Sequence, residues 1–311
     1  MKRAALAGAA VFAVFAVLAA VGALAVALHA QQVIRSGVDL VSLNVTVTSG
    51  ESFVSGLSQD KFSVFEDGAK QDISFFSADR QPIALSILID SSTSMDQKLS
   101  VAQEAAVGFV KRLGEKDVAQ VIDFDSEQRV LQTFTSDHAA LEKAIRSTTP
   151  GGSTKLYNAL YVALVELKKI RAQSLDEVRR QAIVVLSDGE DTASAIDYDY
   201  VLDAAKRSEV LIYCIGLKSR TDAPTKGFKE ADFVLRTLSQ ETGGRVFFVE
   251  LLPQLAAVYQ TIADELVSQY TIGYSSKNPK RDGAWRTVRI IVDAPDAVAR
   301  TKPGYYAATF K

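Results

Sequence analysis

Residues 83–89 read Ile-Ala-Leu-Ser-Ile-Leu-Ile, and the chain then turns at once to Asp90-Ser91-Ser92-Thr93-Ser94. A run that is apolar at nearly every position does not suit a strand with one wet face. It predicts a strand covered on both sides, as in a parallel sheet flanked by helices. The next segment fits that frame, because Leu99, Ala102, Ala106, Phe109, Val110 and Leu113 recur on one helical face. Further strands are predicted over 118–124, 129–134, 182–186, 210–217 and 245–249. Helices are predicted from Ser136-Asp137, over the stretch marked by Leu156, Leu160, Leu164 and Leu167, over 197–207 and 229–240, and from Pro253 onward. Strands alternating with helices at this spacing give a doubly wound, mostly parallel α/β sheet over 82–268.

The two flanks have a different texture. Val41, Leu43, Val45 and Val47 alternate with Ser42, Asn44, Thr46 and Thr48, the period of a half-buried strand. The β-like runs 62–66 and 69–75 flank Asp67-Gly68, a tight hairpin signal. After Leu266 the alternation returns in Tyr270, Ile272 and Tyr274 and again in Val288, Ile290 and Val292. Neither flank is long enough to bury a core alone. Segments 31–81 and 269–311 are therefore expected to pair into a small β-sandwich-like domain, with the α/β domain inserted between them. Ahead of both, Lys2 and Arg3 precede an apolar run of 25 residues, 4–28. Residues 1–30 read as a secretory signal ending in small residues near Ala27 or Ala30, or as an uncleaved anchor, since about 20 apolar residues cross a bilayer. Either reading places the remainder outside the cytoplasm, secreted or in the periplasm and cell envelope.

Composition removes several function classes. The 35 Lys and Arg against 37 Asp and Glu leave a net charge of -2, which argues against nucleic-acid binding by phosphate neutralisation. The single cysteine, Cys214, excludes an intrachain disulfide framework and a Cys-based zinc site, and its apolar surroundings read as a small buried hydrophobe. His29 and His138 are too few for a His-rich metal site. No G-x-G-x-x-G follows the first apolar strand, no P-loop is present, and no G-x-S-x-G elbow accompanies His138. Catalysis is not expected, with Glu190 and Asp191 as the candidate bases for a metal-dependent hydrolase.

Oxygen ligands gather at strand-to-helix junctions, where a doubly wound sheet places its functional groups. They lie in Asp90-x-Ser92-x-Ser94, in Gly151-Gly152-Ser153-Thr154 and in Ser187-Asp188-Gly189. Each loop also has a local reading. Ser94 with Gln97 resembles a capping box, Thr154 can cap a helix after a glycine turn, and Asp188-Gly189 can be a turn. Together Asp90, Ser92, Ser94, Thr154 and Asp188 form an all-oxygen set, the preference of Mg²⁺, Mn²⁺ or Ca²⁺. With the hydroxyls in direct contact and the carboxylates acting through water, a bound ion would keep charge for an outside carboxylate. Ser91, Thr93, Ser153, Gly189 and Glu190 would form the rim around it.

These motifs, in this order, resemble the metal-ion-dependent adhesion site of von Willebrand factor type A domains, over about 82–268. The resemblance implies a Rossmann-like fold with a central, mostly parallel six-stranded sheet. It also implies cation-dependent protein binding at the sheet's upper edge, with Asp90, Ser92, Ser94, Thr154 and Asp188 at the matching positions. The flanks resemble secreted bacterial proteins with a "VWFA-related" domain, frequent in acidobacteria. There a leader and a β segment like Gly56-Leu57-Ser58 to Phe75 precede the type A domain, and a tail like Ser268-Gln269-Tyr270 to Gly304-Tyr305-Tyr306 follows it. The expectation is an exported, non-enzymatic protein that captures an acidic protein ligand through Mg²⁺ or a similar ion. The rival expectation is an envelope scaffold in which the ion only ties the loops together.

Overall fold

The computed structural model describes residues 40–173, 179–188, 191–218 and 226–309. The expected leader, 1–30, lies outside these residues. Among the described residues no helix is long and apolar enough to cross a membrane.

The described chain opens with β1 (Leu40–Ser49), β2 (Ser52–Phe53), β3 (Phe62–Glu66), β4 (Ala69–Gln71) and β5 (Ile73–Ser77). Strands and helices then alternate: β6 (Ile83–Asp90), α1 (Leu99–Val110), β7 (Val118–Phe124), β8 (Gln128–Thr135), α2 (His138–Arg146), α3 (Leu156–Gln173) and β9 (Arg180–Ser187). They continue with α4 (Tyr198–Arg207), β10 (Leu211–Leu217), α5 (Lys226–Thr242), β11 (Val246–Val249) and α6 (Leu255–Ser268). The last strands are β12 (Tyr270–Ser275), β13 (Trp285–Val292), β14 (Ala297–Arg300) and β15 (Gly304–Tyr306).

The central sheet has six strands in the order β11-β10-β9-β6-β7-β8. Only the β7–β8 pair is antiparallel. Every residue of β6, β9 and β10 is buried, which explains their continuous apolar sequence. Side chains alternate between faces. Ile83, Leu85, Ile87 and Ile89 join a core with α1, α2 and α6, while Ala84 and Leu88 join another with α3, α4 and α5. Each fully buried Leu or Ile contributes about 2 kcal/mol of transfer free energy. From β6 the chain runs outward through β7 and β8, then crosses by α3 to β9 on the opposite side and outward to β10 and β11. The connections therefore diverge from the carboxyl ends of β6 and β9, the switch point where such sheets form a crevice.

The remaining strands form two facing sheets. One has the order β14-β1-β12-β5 with β2 beside β1, and the other has the order β15-β13-β3-β4. Strands from opposite ends of the chain pair in both, with Leu43 opposite Ile272 and Val64 opposite Ile290. Leu43, Val45, Phe62, Val64, Ile272 and Ile290 share the core between the sheets. Asp67 and Gly68 adopt φ of 48° and 82°, the left-handed pair that a tight hairpin requires. One sequence expectation changes here. The run 69–75 is not one strand, because it breaks at Asp72 into β4 in one sheet and β5 in the other. Corners of this kind let a chain pass between packed sheets.

Buried polar groups bind the sandwich to the α/β layers. Arg180, the first residue of β9, donates to Leu266 O at 2.7 Å, Asn44 Oδ1 at 3.1 Å, Thr271 Oγ1 at 3.2 Å and Gln269 O at 3.3 Å. Asn44 therefore has a structural use within the sandwich strand β1. Fully buried Glu265 on α6 accepts from Arg300 Nη2 at 2.5 Å, Tyr213 Oη at 2.7 Å and Thr46 Oγ1 at 3.2 Å. The described residues from Leu40 onward form one compact unit.

Candidate metal centre

Asp90 ends β6 with its side chain buried at the switch point. Its Oδ1 accepts from the Ser92 backbone N–H at 2.9 Å and its Oδ2 from Ser187 Oγ at 2.6 Å. Both donors are neutral. Burial therefore dominates and pushes the Asp90 pKa up to about 6, with the Asp188 charge adding to the rise and the Ser187 and Ser92 hydrogen bonds opposing it. The chain of contacts continues outward. Ser92 Oγ lies 3.0 Å from Ser94 Oγ, and Ser94 Oγ donates to Asp188 Oδ1 at 2.7 Å. The other Asp188 oxygen accepts from Lys98 Nζ. Asp90, Ser92, Ser94 and Asp188 thus meet in one hydrogen-bonded group.

Backbone bonds lace the second loop to the first. Gly151 N–H donates to Ser91 O at 2.7 Å, and Thr93 donates to Gly152 O from its N–H at 3.1 Å and its hydroxyl at 2.9 Å. Gly152 has φ of 73°, and a Cβ there would sit 2.5 Å from Ser126 Oγ, so glycine is required on two counts. The Thr154 backbone is fixed as well. Its N–H donates to Thr192 Oγ1 at 3.0 Å, and its carbonyl accepts from Thr192 N at 2.9 Å and Ala193 N at 3.2 Å. Its hydroxyl, on a residue only 5% exposed, has no hydrogen-bond partner among the described residues.

That free hydroxyl has a cause in the helix start. Thr154 does not cap α3. The loop after β9 does so, with Asp191 Oδ1 accepting from Tyr157 N at 3.1 Å and Ser194 Oγ accepting from Asn158 N at 3.2 Å. Asp191 is held in turn by the Ser194 hydroxyl at 2.6 Å and backbone N–H at 3.1 Å. Its carboxylate is committed to a helix end, which answers the sequence-level idea of Asp191 as a base. The Asp-Thr-Ala-Ser spelling of 191–194 carried the signal for such a side-chain turn.

The local reading of Ser94 also gives way. Ser94 forms no capping box, because α1 starts at Leu99 with Lys98 as its N-cap and no side-chain cap bond. One rim residue must be corrected. Ser91 is fully buried, with its N–H at 2.9 Å and its hydroxyl at 3.4 Å from Phe124 O, so it faces the β7 strand end and not solvent. Thr93 is exposed, and Ser153 is half-buried beside Ser126 Oγ at 3.1 Å. Gly189 and Glu190 lie outside the described residues. Lys98 is the participant that the sequence reading missed. Its signal was a lysine at a helix N-terminus, where the dipole disfavours a cation. Among the described residues no cluster of three or more His, Cys, Asp or Glu could hold a metal. The oxygen groups that meet at the switch point are the carboxylates of Asp90 and Asp188 and the hydroxyls of Ser92 and Ser94.

The family model described as the von Willebrand factor type A domain matches residues 85–261, more than half of the sequence. The chain belongs to the von Willebrand factor type A family. Such domains are a general adhesion and protein-interaction fold, are generally non-enzymatic, and commonly bind a divalent metal. A curated relative, an uncharacterized protein of Synechocystis, is 33% identical over 114 residues, 36% of this chain and 26% of its own length. An uncharacterized protein of Borreliella burgdorferi is 23% identical over 220 residues, 68% of this chain and 62% of its own length. The chain thus spans less than two thirds of either relative. Among solved structures, a von Willebrand factor type A protein from Catenulispora acidiphila superposes with a TM-score of 0.52 at 14% identity, covering 87% of this chain and 74% of that one. Proximal thread matrix protein 1 of the mussel byssus, with a zinc-occupied MIDAS motif, gives 0.49 at 14% identity over 65% of this chain and 49% of that one.

Proposed function

We propose that this type A domain holds a divalent cation, Mg²⁺ or a similar hard ion, with Ser92, Ser94, Thr154, Asp90 and Asp188, and that it captures a protein ligand through the ligand's Asp or Glu carboxylate. The observation that carries the reading is the Thr154 hydroxyl. The residue is buried, its backbone is held by Thr192, and the capping of the α3 start falls to Asp191 and Ser194. A hydroxyl oxygen with no protein partner keeps its lone pairs available, and a hard cation can take one. Bound there, the ion supplies Lewis-acid attraction for an external carboxylate. The protein's own part is to fix the hydroxyls and to keep charge nearby without closing the site. The domain acts outside the cytoplasm as a non-enzymatic binding module.

The scaffold alternative gives the ion only the task of joining loops. Gly151 to Ser91, Thr93 to Gly152 and Ser94 to Asp188 already join them through protein hydrogen bonds. That lacing favours ligand capture. The test begins with calorimetric titration of Mg²⁺, Mn²⁺ and Ca²⁺ into the wild-type protein and Asp188→Ala. Wild type should take up an ion, and Asp188→Ala should bind it at least about tenfold more weakly. Equal uptake by both would show the ligand set to be wrong. A pull-down from surface extracts then separates capture from scaffolding. Chelation should abolish partner binding under capture, and should only lower stability under scaffolding.

A further inference from the structure

Lys98 occupies an unusual place. It is the N-cap residue of α1, a position that favours Ser, Thr, Asp or Asn, and it makes no side-chain cap bond there. The positive end of the helix dipole opposes its charge. What it has instead is Asp188, whose side chain is only 3% exposed while that of Lys98 is 23% exposed. Its backbone is fixed in the turn, with Lys98 N–H donating to Met95 O at 2.8 Å and Ala102 N–H donating to Lys98 O at 3.0 Å. Only the side chain is free to adjust. Asp188 therefore has one oxygen on the Ser94 hydroxyl and the other on an ammonium group.

We propose that Lys98 is the charge-setting residue of the cation site: it neutralises Asp188, weakens the hold on the ion, and leaves the bound ion with positive charge for an incoming carboxylate. This rests on the cation-capture reading above. With Asp90 and Asp188 alone, two negative charges balance a divalent ion. With Lys98 beside Asp188, one positive charge remains in the cluster. In a buried setting that charge is weakly screened, so it attracts an anionic group from outside. An ion entering the site also competes with the ammonium for the same Asp188 oxygen. Ion affinity and ligand affinity are thereby set against each other, with Lys98 as the residue that divides them.

The experiment uses the full chain in five forms, of which four are wild type, Lys98→Met, Lys98→Arg, and Lys98→Met combined with Asp188→Asn. The Asp188→Asn single variant completes the cycle. Mn²⁺ affinity is measured by calorimetry at fixed ionic strength, with and without acetate as a carboxylate probe. Lys98→Met should bind Mn²⁺ at least about tenfold more tightly, and Lys98→Arg should stay within about threefold of wild type. In the Asp188→Asn background the Lys98→Met effect should shrink to less than about twofold, because the residue acts through Asp188. Acetate should tighten Mn²⁺ binding in wild type and do so less in Lys98→Met. Should Lys98→Met fail to fold, Lys98→Gln takes its place. A folded Lys98→Met or Lys98→Gln that binds Mn²⁺ with unchanged or weaker affinity than wild type overturns this inference alone. No uptake by any form overturns the cation site and this inference together.

Discussion

At its first residue β9 buries the cation Arg180, and at its other end Ser187 and Asp188 enter the switch-point crevice. Both ends are polar and largely enclosed, yet they differ in what is left over. The Arg180 donors reach Asn44, Leu266, Gln269 and Thr271, so each arm of the guanidinium has an acceptor. Burial lowers its pKa to about 10, and it still remains charged at neutral pH. At the opposite end Asp90 has only neutral donors, Asp188 is shared between a hydroxyl and an ammonium, and the Thr154 hydroxyl has no partner among the described residues. A buried cation with an acceptor on every arm holds layers together. A group with bonding capacity left over is a place where something else can bind.

Substitution of Arg180 should break the first half of this comparison most severely. Arg180→Met leaves the Leu266 and Gln269 carbonyls without that donor and loosens the sandwich from α6. We expect a loss of about 4 kcal/mol in unfolding free energy, measured by urea denaturation. Cation affinity of the molecules that stay folded should change by less than about twofold. A loss below about 1 kcal/mol would mean that the guanidinium is not holding the layers.

Proton linkage tests the other end. Asp90 has a folded-state pKa of about 6, above the ordinary carboxylate value, so the native state binds more protons between about pH 4 and 6. In chelator, stability should therefore fall as pH rises through that window, by about 3 kcal/mol in all, and then level off. Asp90→Asn should remove the slope and keep the higher stability at pH 7. Saturating cation should reverse the trend in wild type, since ion binding favours the deprotonated carboxylate. Unfolding curves at several pH values, with chelator and with cation, provide the check. A flat profile in chelator would mean that Asp90 is not strained by burial.

Much of this was legible because strand burial leaves a direct mark on composition. Residues 83–89 and 182–186 carry apolar side chains for both faces, so the covered sheet could be read without partners. Asp90 and Asp188 were legible as candidates because each stands at the end of an apolar run. Less legible were contacts set by three-dimensional register. Nothing local in Asn44, Thr271 or Gln269 announces that they surround Arg180, since their sequence separations from it range from 89 to 136. Ser91 was misplaced for a related reason. Its neighbours Ser92 and Ser94 join the site, but the loop leaves β6 against Phe124 and turns Ser91 inward. Lys98 was overlooked because its partner lies on another strand end.

The smallest expected effect sharpens the boundary of the site. Asp191 stands three positions beyond Asp188, but its oxygens serve the α3 N-terminus and the Ser194 turn. Asp191→Ala should remove a helix cap and lower stability by about 1 kcal/mol. The laced backbone still holds Thr154 through Thr192, so cation affinity should shift by less than about threefold. Thermal unfolding and calorimetric titration on the same preparation separate the two quantities. If Asp191→Ala stays folded and loses the cation altogether, Asp191 belongs to the ligand set and the capping role is secondary. If stability falls while affinity holds, the carboxylate at the helix end frees the Thr154 hydroxyl for the ion without touching the ion itself.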